Sequence, residues 1–213
     1  MKNIKIDIWS DIVCPFCFIG KKKLEQAISK LQLSEHVEIE WHSFQLDPDF
    51  PKGEAIPSST YLAQRKNYPI EQINAIQQQL TANAKPYGIN FQFEKALSFN
   101  TIDVHRLWQW SKTLGKSSEL KEALMKAYFT DGIDLSKVEN VLQVVENCSL
   151  DKLEAQAILR SNQFSNEVDE DIYHASQIGV RGVPFFVLNN QFAISGALED
   201  SVFENALSKL TIQ

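Results

Sequence analysis

Cysteine is scarce in this chain, with three in 213 residues. So few cysteines exclude the disulfide scaffold of a small secreted domain. Long apolar runs are missing too, since no window approaches the ~20 residues needed to span a bilayer. The opening Met-Lys-Asn-Ile-Lys-Ile carries neither the apolar stretch nor the cleavage pattern of a signal peptide, so a cytoplasmic protein with no membrane partner is expected. Positive charge is not in excess: 21 Lys and Arg face 27 Asp and Glu, a net charge of −6 with a pI near 5.3. That balance argues against nucleic acid as a partner. The densest basic run, Lys21-Lys22-Lys23, is expected to be a solvated stretch of helix. There is no second Cys-x-x-Cys, and His36, His42, His105 and His174 form no close pair, so the ligand spacing of a zinc site is lacking and no metal is expected. No internal repeat or low-complexity tract appears.

What is there is ordinary globular material, 44% hydrophobic and 23% charged, enough for a substantial core. The stretch Ile4 to Leu33 organises it. Ile4, Ile6 and Ile8 alternate as in a strand, and Ile19, Leu24, Ala27, Ile28 and Leu31 then recur near helical spacing. Cys14-Pro15-Phe16-Cys17 falls where the strand ends and the helix begins. Unpaired backbone N–H groups and the helix dipole stabilise an anion there, which makes Cys14 the natural thiolate. Pro15 suits the first helical position, where no N–H is needed. Cys17 lies on the same helix face and within reach of Cys14, so the pair can close a small disulfide ring. A strand, a Cys-x-x-Cys and a helix in that order point to a redox dithiol.

The segment Asp7 to Gly20, DIWSDIVCPFCFIG, resembles the active-site region of the DsbA-like branch of the thioredoxin superfamily, most closely its FrnE-like members. Gly179-Val180-Arg181-Gly182-Val183-Pro184-Phe185-Phe186-Val187 resembles the cis-proline loop of that family. Asn100 to Leu107, NTIDVHRL, resembles it as well. The resemblance implies an α/β thioredoxin-like fold, βαβ … αββα, with an all-helical insertion. It further implies that Pro184 follows a cis bond and faces the dithiol, and that the Val183 backbone pairs with an extended substrate segment.

The rest of the chain is consistent with that plan. Val37 to Phe44 alternates as a second strand, and a strand, helix and parallel strand make a right-handed unit. Asp47 to Pro57, with three prolines and a glycine, is irregular. From Ser58 to about Asn162 the pattern is helical with no convincing strand: Tyr61 to Lys85 with a break at Tyr68-Pro69, Thr101 to Leu114 capped by Asn100, and Glu119 to Phe129. A capping box at Ser136–Glu139 opens a helix to Asn147, and Asp151 to Arg160 follows. Asn166 to Ile178 is a helix. Phe185–Leu188 and Phe192–Ile194 are strands turned at Asn189-Asn190, and Asp200 to Leu210 is a final helix. Three segments are expected: residues 1–57 and 163–213 as the two parts of the thioredoxin-like core, and residues 58–162 as the insertion.

Chemically, Cys14 is the expected nucleophile, Cys17 the resolving thiol and Pro184 the third catalytic position, with Pro15, Phe16, Val183, Asp11 and Asp7 in support. Phe16 cannot donate a hydrogen bond to a thiolate as a histidine there could, which predicts a less oxidising site. Asp7, on the first strand, is a candidate proton acceptor for Cys17, and Asp11 a side-chain cap of the turn. Cys148 is expected as a free, partly buried thiol. Trp41, Phe44, Phe99, Trp108, Trp110, Tyr128 and Phe129 are expected in the core, and His105 and Arg106 in packing or an interhelical hydrogen bond. The leading function is a thiol:disulfide oxidoreductase of reductase or isomerase type. It would act on disulfide-containing proteins or peptides with no bound cofactor, and glutathione is a candidate reductant. Two alternatives stay open. One is a glutathione-dependent isomerase or transferase resembling 2-hydroxychromene-2-carboxylate isomerase and the kappa-class glutathione transferases, which generally carry a serine at the position of Cys14. The other is a non-enzymatic, chaperone-like binding module.

Overall fold

A computed structural model describes residues 3–211, which divide into two compact units at Leu46/Asp47 and at Val168/Asp169. The first unit opens with strand β1 (Ile4–Ser10), helix α1 (Pro15–Lys30) and strand β2 (Val37–Ser43). The helix starts because Pro15 occupies its first turn and Cys14 is extended at the N-cap. It stops at a left-handed Gln32, φ 57°, where the N–H groups of Gln32 and Leu33 reach back to Ser29 and Ile28 carbonyls at 3.0 and 2.9 Å. Those two bonds satisfy carbonyls that the helix end would otherwise orphan.

The unit closes with helix α8 (Ser165–Gln177), which crosses the boundary, then strands β5 (Phe185–Leu188) and β6 (Phe192–Ser195) and helix α9 (Asp200–Thr211). The sheet order is β2-β1-β5-β6, with β1 parallel to β2 and antiparallel to β5. Asn189 and Asn190 both take positive φ, 49° and 54°, as a two-residue hairpin turn demands. One sheet face meets α1: Ile8 registers with Phe186, whose ring lies 5.1 Å from that of Phe203 on α9. The other face meets α8, where Trp9 packs with Ala175 and Val180, flanked by Val183, Phe185 and Val187.

The second unit carries helices α2 (Ser58–Arg65), α3 (Ile70–Ala84), α4 (Ile102–Thr113), α5 (Ser117–Lys126), α6 (Val138–Asn147) and α7 (Lys152–Leu159). It corrects the strand-free expectation, because β3 (Ala55–Pro57) and β4 (Leu97–Phe99) pair antiparallel. Strands of three residues are too short to show a period of two. The capping box at Ser136 is also corrected. Asp134 takes both the N–H and the hydroxyl of Ser136, and α6 begins two residues later with no side-chain cap. Phe99, Trp108, Trp110, Tyr128 and Phe129 are core residues, as is Trp41 in the first unit, while Phe44 is half-buried. Arg106 is buried, and its guanidinium takes the Ile158, Ser161 and Gln163 carbonyls at the end of α7, an interhelical hydrogen-bonding duty. His105 is fully buried with its ring against Trp108. Among the described residues no helix is long and apolar enough to cross a membrane.

Candidate active site

Cys14 and Cys17 sit in the first turn of α1, 3% and 1% exposed, both as free thiols. The turn is held by its own backbone: the Cys14 N–H donates to Asp11 O at 3.3 Å and the Cys17 N–H to Cys14 O at 3.1 Å. Opposite them, the Val183-Pro184 bond is cis, as the sequence resemblance implied. The Cys14 thiol donates to the Val183 carbonyl at 3.4 Å, which brings two segments 169 residues apart into one site. Phe16, between the cysteines in sequence, is 46% exposed, an apolar group in the same turn as two buried sulfurs. Val183 is half-buried and Pro184 buried.

Burial raises the Cys14 thiol well above its ordinary range, because a thiolate there loses its hydration. The Cys17 sulfur adds to that rise, its backbone N–H opposes it, and the carboxylate of Asp11 contributes a smaller upward push. Burial thus opposes the thiolate stabilisation that the helix terminus supplies. Cys148 is also buried, and burial raises its thiol too. It is a free core thiol, more deeply enclosed than expected.

The two supporting acids separate. Asp11 is 1% exposed, and its Oδ2 accepts the Leu46 N–H at 2.8 Å. It therefore ties the turn before α1 to the segment leaving β2. Asp7 is corrected. It registers with Glu40, and its strand neighbour Trp9 registers with His42, so the pleat places all four on the α8 face of the sheet, away from α1 and the thiols. There its Oδ1 lies 2.9 Å from His42 Nε2 and 3.2 Å from Lys5 Nζ. It is a partner of a histidine and a lysine, and the role of acceptor for Cys17 does not fit that position.

Sequence reasoning missed what surrounds Asp7. His42 Nδ1 lies 2.6 Å from Asp171 Oδ1, whose other oxygen accepts the Ser43 N–H at 2.7 Å. A neutral imidazole has one N–H, so both carboxylate contacts become donor bonds only in the imidazolium form. The ring stacks on Trp9 at 4.5 Å, and Trp9 Nε1 donates to Asp171 O at 3.1 Å. Asp7, Glu40 and His42 bring donor atoms within 4.8 Å of one another, a spacing that could hold a metal ion. A cation already stands there: the Lys5 ammonium is 2.6 Å from Glu40 and bridges to Asp7.

Gly20 was also missed. A Cβ at that position would meet Phe186 at 3.0 Å and Pro184 at 3.1 Å, so the glycine lets α1 approach the cis-proline loop. The signal was present, since glycine inside a helix costs about 1 kcal/mol relative to alanine and needs a packing reason. The lysine run is corrected as well. Lys21 and Lys23 are buried, the first paired with Glu25 and the second donating to Leu198 O at 2.8 Å. Their long stems cover apolar surface while their ammonium groups find acceptors.

Comparison with known proteins gives a consistent result. A family model described as DSBA-like thioredoxin domain matches residues 5–208. A probable DsbA oxidoreductase from Streptomyces coelicolor, SCO1869, is 32% identical and superposes with a TM-score of 0.93, covering 97% of this chain and 89% of that one. Two more distant structures share the fold. The first is a 2-hydroxychromene-2-carboxylate isomerase, 17% identical with a TM-score of 0.74 over 97% and 96% of the two chains. The second is the cytosolic disulfide reductase DsbM of Pseudomonas aeruginosa, 12% identical with a TM-score of 0.66 over 98% and 100%, a protein also solved with GSH.

Proposed function

Since the chain belongs to the DsbA-like thioredoxin family, we propose that it is a thiol:disulfide oxidoreductase of reductase or isomerase type, working on protein or peptide disulfides through Cys14 and Cys17. The observation that carries this reading is the Cys14 thiol, set at the N-cap of α1 and 3.4 Å from the Val183 carbonyl of the cis-proline loop. In the reductive direction the Cys14 thiolate attacks one sulfur of the substrate disulfide, and the other sulfur leaves as a thiolate and takes up a proton. Cys17 then attacks the Cys14 sulfur and frees the second substrate thiol. The pair is left as a disulfide holding the two oxidising equivalents, and two molecules of glutathione restore it while forming glutathione disulfide. An extended substrate laid along Val183 would present its disulfide to Cys14.

Two features support the reducing direction. Phe16 offers no hydrogen bond to a thiolate, and burial raises the Cys14 thiol, so the reduced form gains less of the thiolate stabilisation that makes a disulfide strongly oxidising. Such work suits a reducing cytoplasm. The alternative of a glutathione-dependent isomerase or transferase acting on a small molecule is disfavoured by retention of both cysteines, which such an enzyme does not need.

A redox titration in glutathione buffers, with free thiols alkylated and counted by mass, tests the proposal. A cooperative two-electron transition at Cys14 and Cys17 near about −270 mV, lost in Cys14→Ser, is the expected result. A potential of roughly −120 to −200 mV would place the site among oxidants and isomerases. A pair that never cycles would refute the oxidoreductase reading, and peptide binding that survives in Cys14→Ser would then favour a binding module.

A further inference from the structure

Arg181 lies in the cis-proline loop, two residues before Val183 and three before Pro184. Its side chain is exposed, and among the described residues it has no hydrogen bond or ion pair. Its backbone is anchored on both sides. The Val180 N–H donates to Ala175 O at 2.9 Å with Val180 buried against Trp9, and the Pro184 carbonyl accepts from Gly196 at 2.8 Å. The backbone that carries this exposed cation is thus held beside the site.

The other cations flanking the dithiol are engaged. Lys21 and Lys22 pair with Glu25, and Lys23 binds Leu198 O beside Asp200. Two residues of extended chain span at most about 7 Å, so the Arg181 backbone is within a residue or two of any segment running beside Val183. The approach is open, since a Cβ at Gly182 would meet nothing within 4 Å. In a chain of net charge −6 with a buried carboxylate, Asp11, beside the thiol, an acidic ligand is otherwise repelled.

We propose that Arg181 is a specificity-determining residue that binds a carboxylate lying one or two residues from the disulfide of an extended peptide substrate, while exposed Phe16 contacts the apolar side of the same segment. The fork of donors on a guanidinium matches a carboxylate in a bidentate pair, which a point charge cannot reproduce. This rests on the proposed disulfide chemistry and names the class of disulfide the site prefers. The carboxylate can come from an acidic side chain of a protein segment or from glutathione, and the two sources are separable.

The test is a single exchange on the Cys17→Ser variant, which traps the mixed disulfide. Peptides activated as mixed disulfides with thionitrobenzoate, identical except for Glu, Gln or Lys two residues from the cysteine, are attacked by Cys14. The peptide–Cys14 bond forms as thionitrobenzoate leaves as a coloured thiolate. With Arg181 present, the Glu peptide should react about two- to fivefold faster than the Lys peptide, the scale of one exposed ion pair. That preference should shrink in 0.5 M salt, reverse in Arg181→Glu and vanish in Arg181→Gln. Glutathione disulfide and its carboxyl-esterified form make the second arm: a loss of the preference for the free acid in Arg181→Gln assigns glutathione as a source. Equal changes for all three peptides, or none, in variants with unchanged thermal unfolding would overturn the proposal. The exchange needs no turnover, so a dithiol that fails to cycle refutes the oxidoreductase reading and still leaves the charge preference measurable.

Discussion

On the α1 side of the sheet the two thiols and Asp11 are buried, as are Lys21 and Lys23, and a Cβ at Gly20 would meet Phe186 at 3.0 Å and Pro184 at 3.1 Å. On the α8 face a histidine joins two carboxylates, Asp7 and Asp171, with Lys5 and Glu40 at the rim. On the first side burial raises the Cys14 thiol above its ordinary range. The second compensates its buried charges in pairs, and through Asp171 it fastens α8, whose C-terminal end leads into the Val180–Pro184 loop. Reactivity on one side and anchorage on the other are thus kept on separate sides of one sheet.

The largest effect should come from breaking the α8 face. His42→Ala leaves Asp7 and Asp171 facing an empty site, and removing one partner of a buried charge pair costs about 3–5 kcal/mol. Lys5 and the Ser43 N–H still compensate part of that charge, so the lower end is expected, read as a fall in urea midpoint at constant m. Because His42 lies across the sheet from the thiols, the pH midpoint of Cys14 alkylation should not move, and a shift would break the separation of faces.

Breaking the α1 face should cost less. Gly20→Ala drives a methyl against Pro184 and Phe186, an overpacking of about 1–3 kcal/mol that is offset by up to about 1 kcal/mol of helix propensity. Disulfide exchange should slow more than stability falls, because the displaced group belongs to the loop facing Cys14. Unchanged exchange in a folded variant would show that this close contact does not set the site.

The smallest effect tunes the thiol itself. Asp11→Asn keeps an acceptor for the Leu46 N–H and removes a negative charge, so the midpoint of Cys14 alkylation should move down in pH. The linkage has a definite sign. The folded-state pKa of Cys14 is raised, so its contribution to stability is complete below the unfolded thiol value of about 8.5 and is lost as pH rises through the folded value. Reduced protein should accordingly lose stability in alkali relative to the oxidised form, and less so in Asp11→Asn.

Much was legible because it is local. Alternation of Ile4, Ile6 and Ile8, the helical spacing after Cys17, and Pro15 in the first turn fix a strand, a dithiol and a helix within thirty residues, and Asn189-Asn190 fixes a hairpin by backbone conformation alone. The short β3–β4 pair was not legible, since three residues carry almost no periodic signal. The sequence offers Asp7 as a proton acceptor for Cys17 and Asp11 as a cap of the turn. Strand pairing showed that Asp7 faces α8 and pairs with His42, and a long-range bond showed that Asp11 reaches Leu46.

By itself, then, the sequence determined where the dithiol stands, because propensity, pattern and turn chemistry act between near neighbours, while the loop expected to face it comes from the family resemblance. Tertiary structure decided the rest. It chose which carboxylate lies beside Cys14, buried Lys21 and Lys23, brought Pro184 and Phe186 up against position 20 and raised the Cys14 thiol. Each of these depends on desolvation and contact between segments far apart in the chain, and neither quantity exists until the sheet and its helices have closed around them.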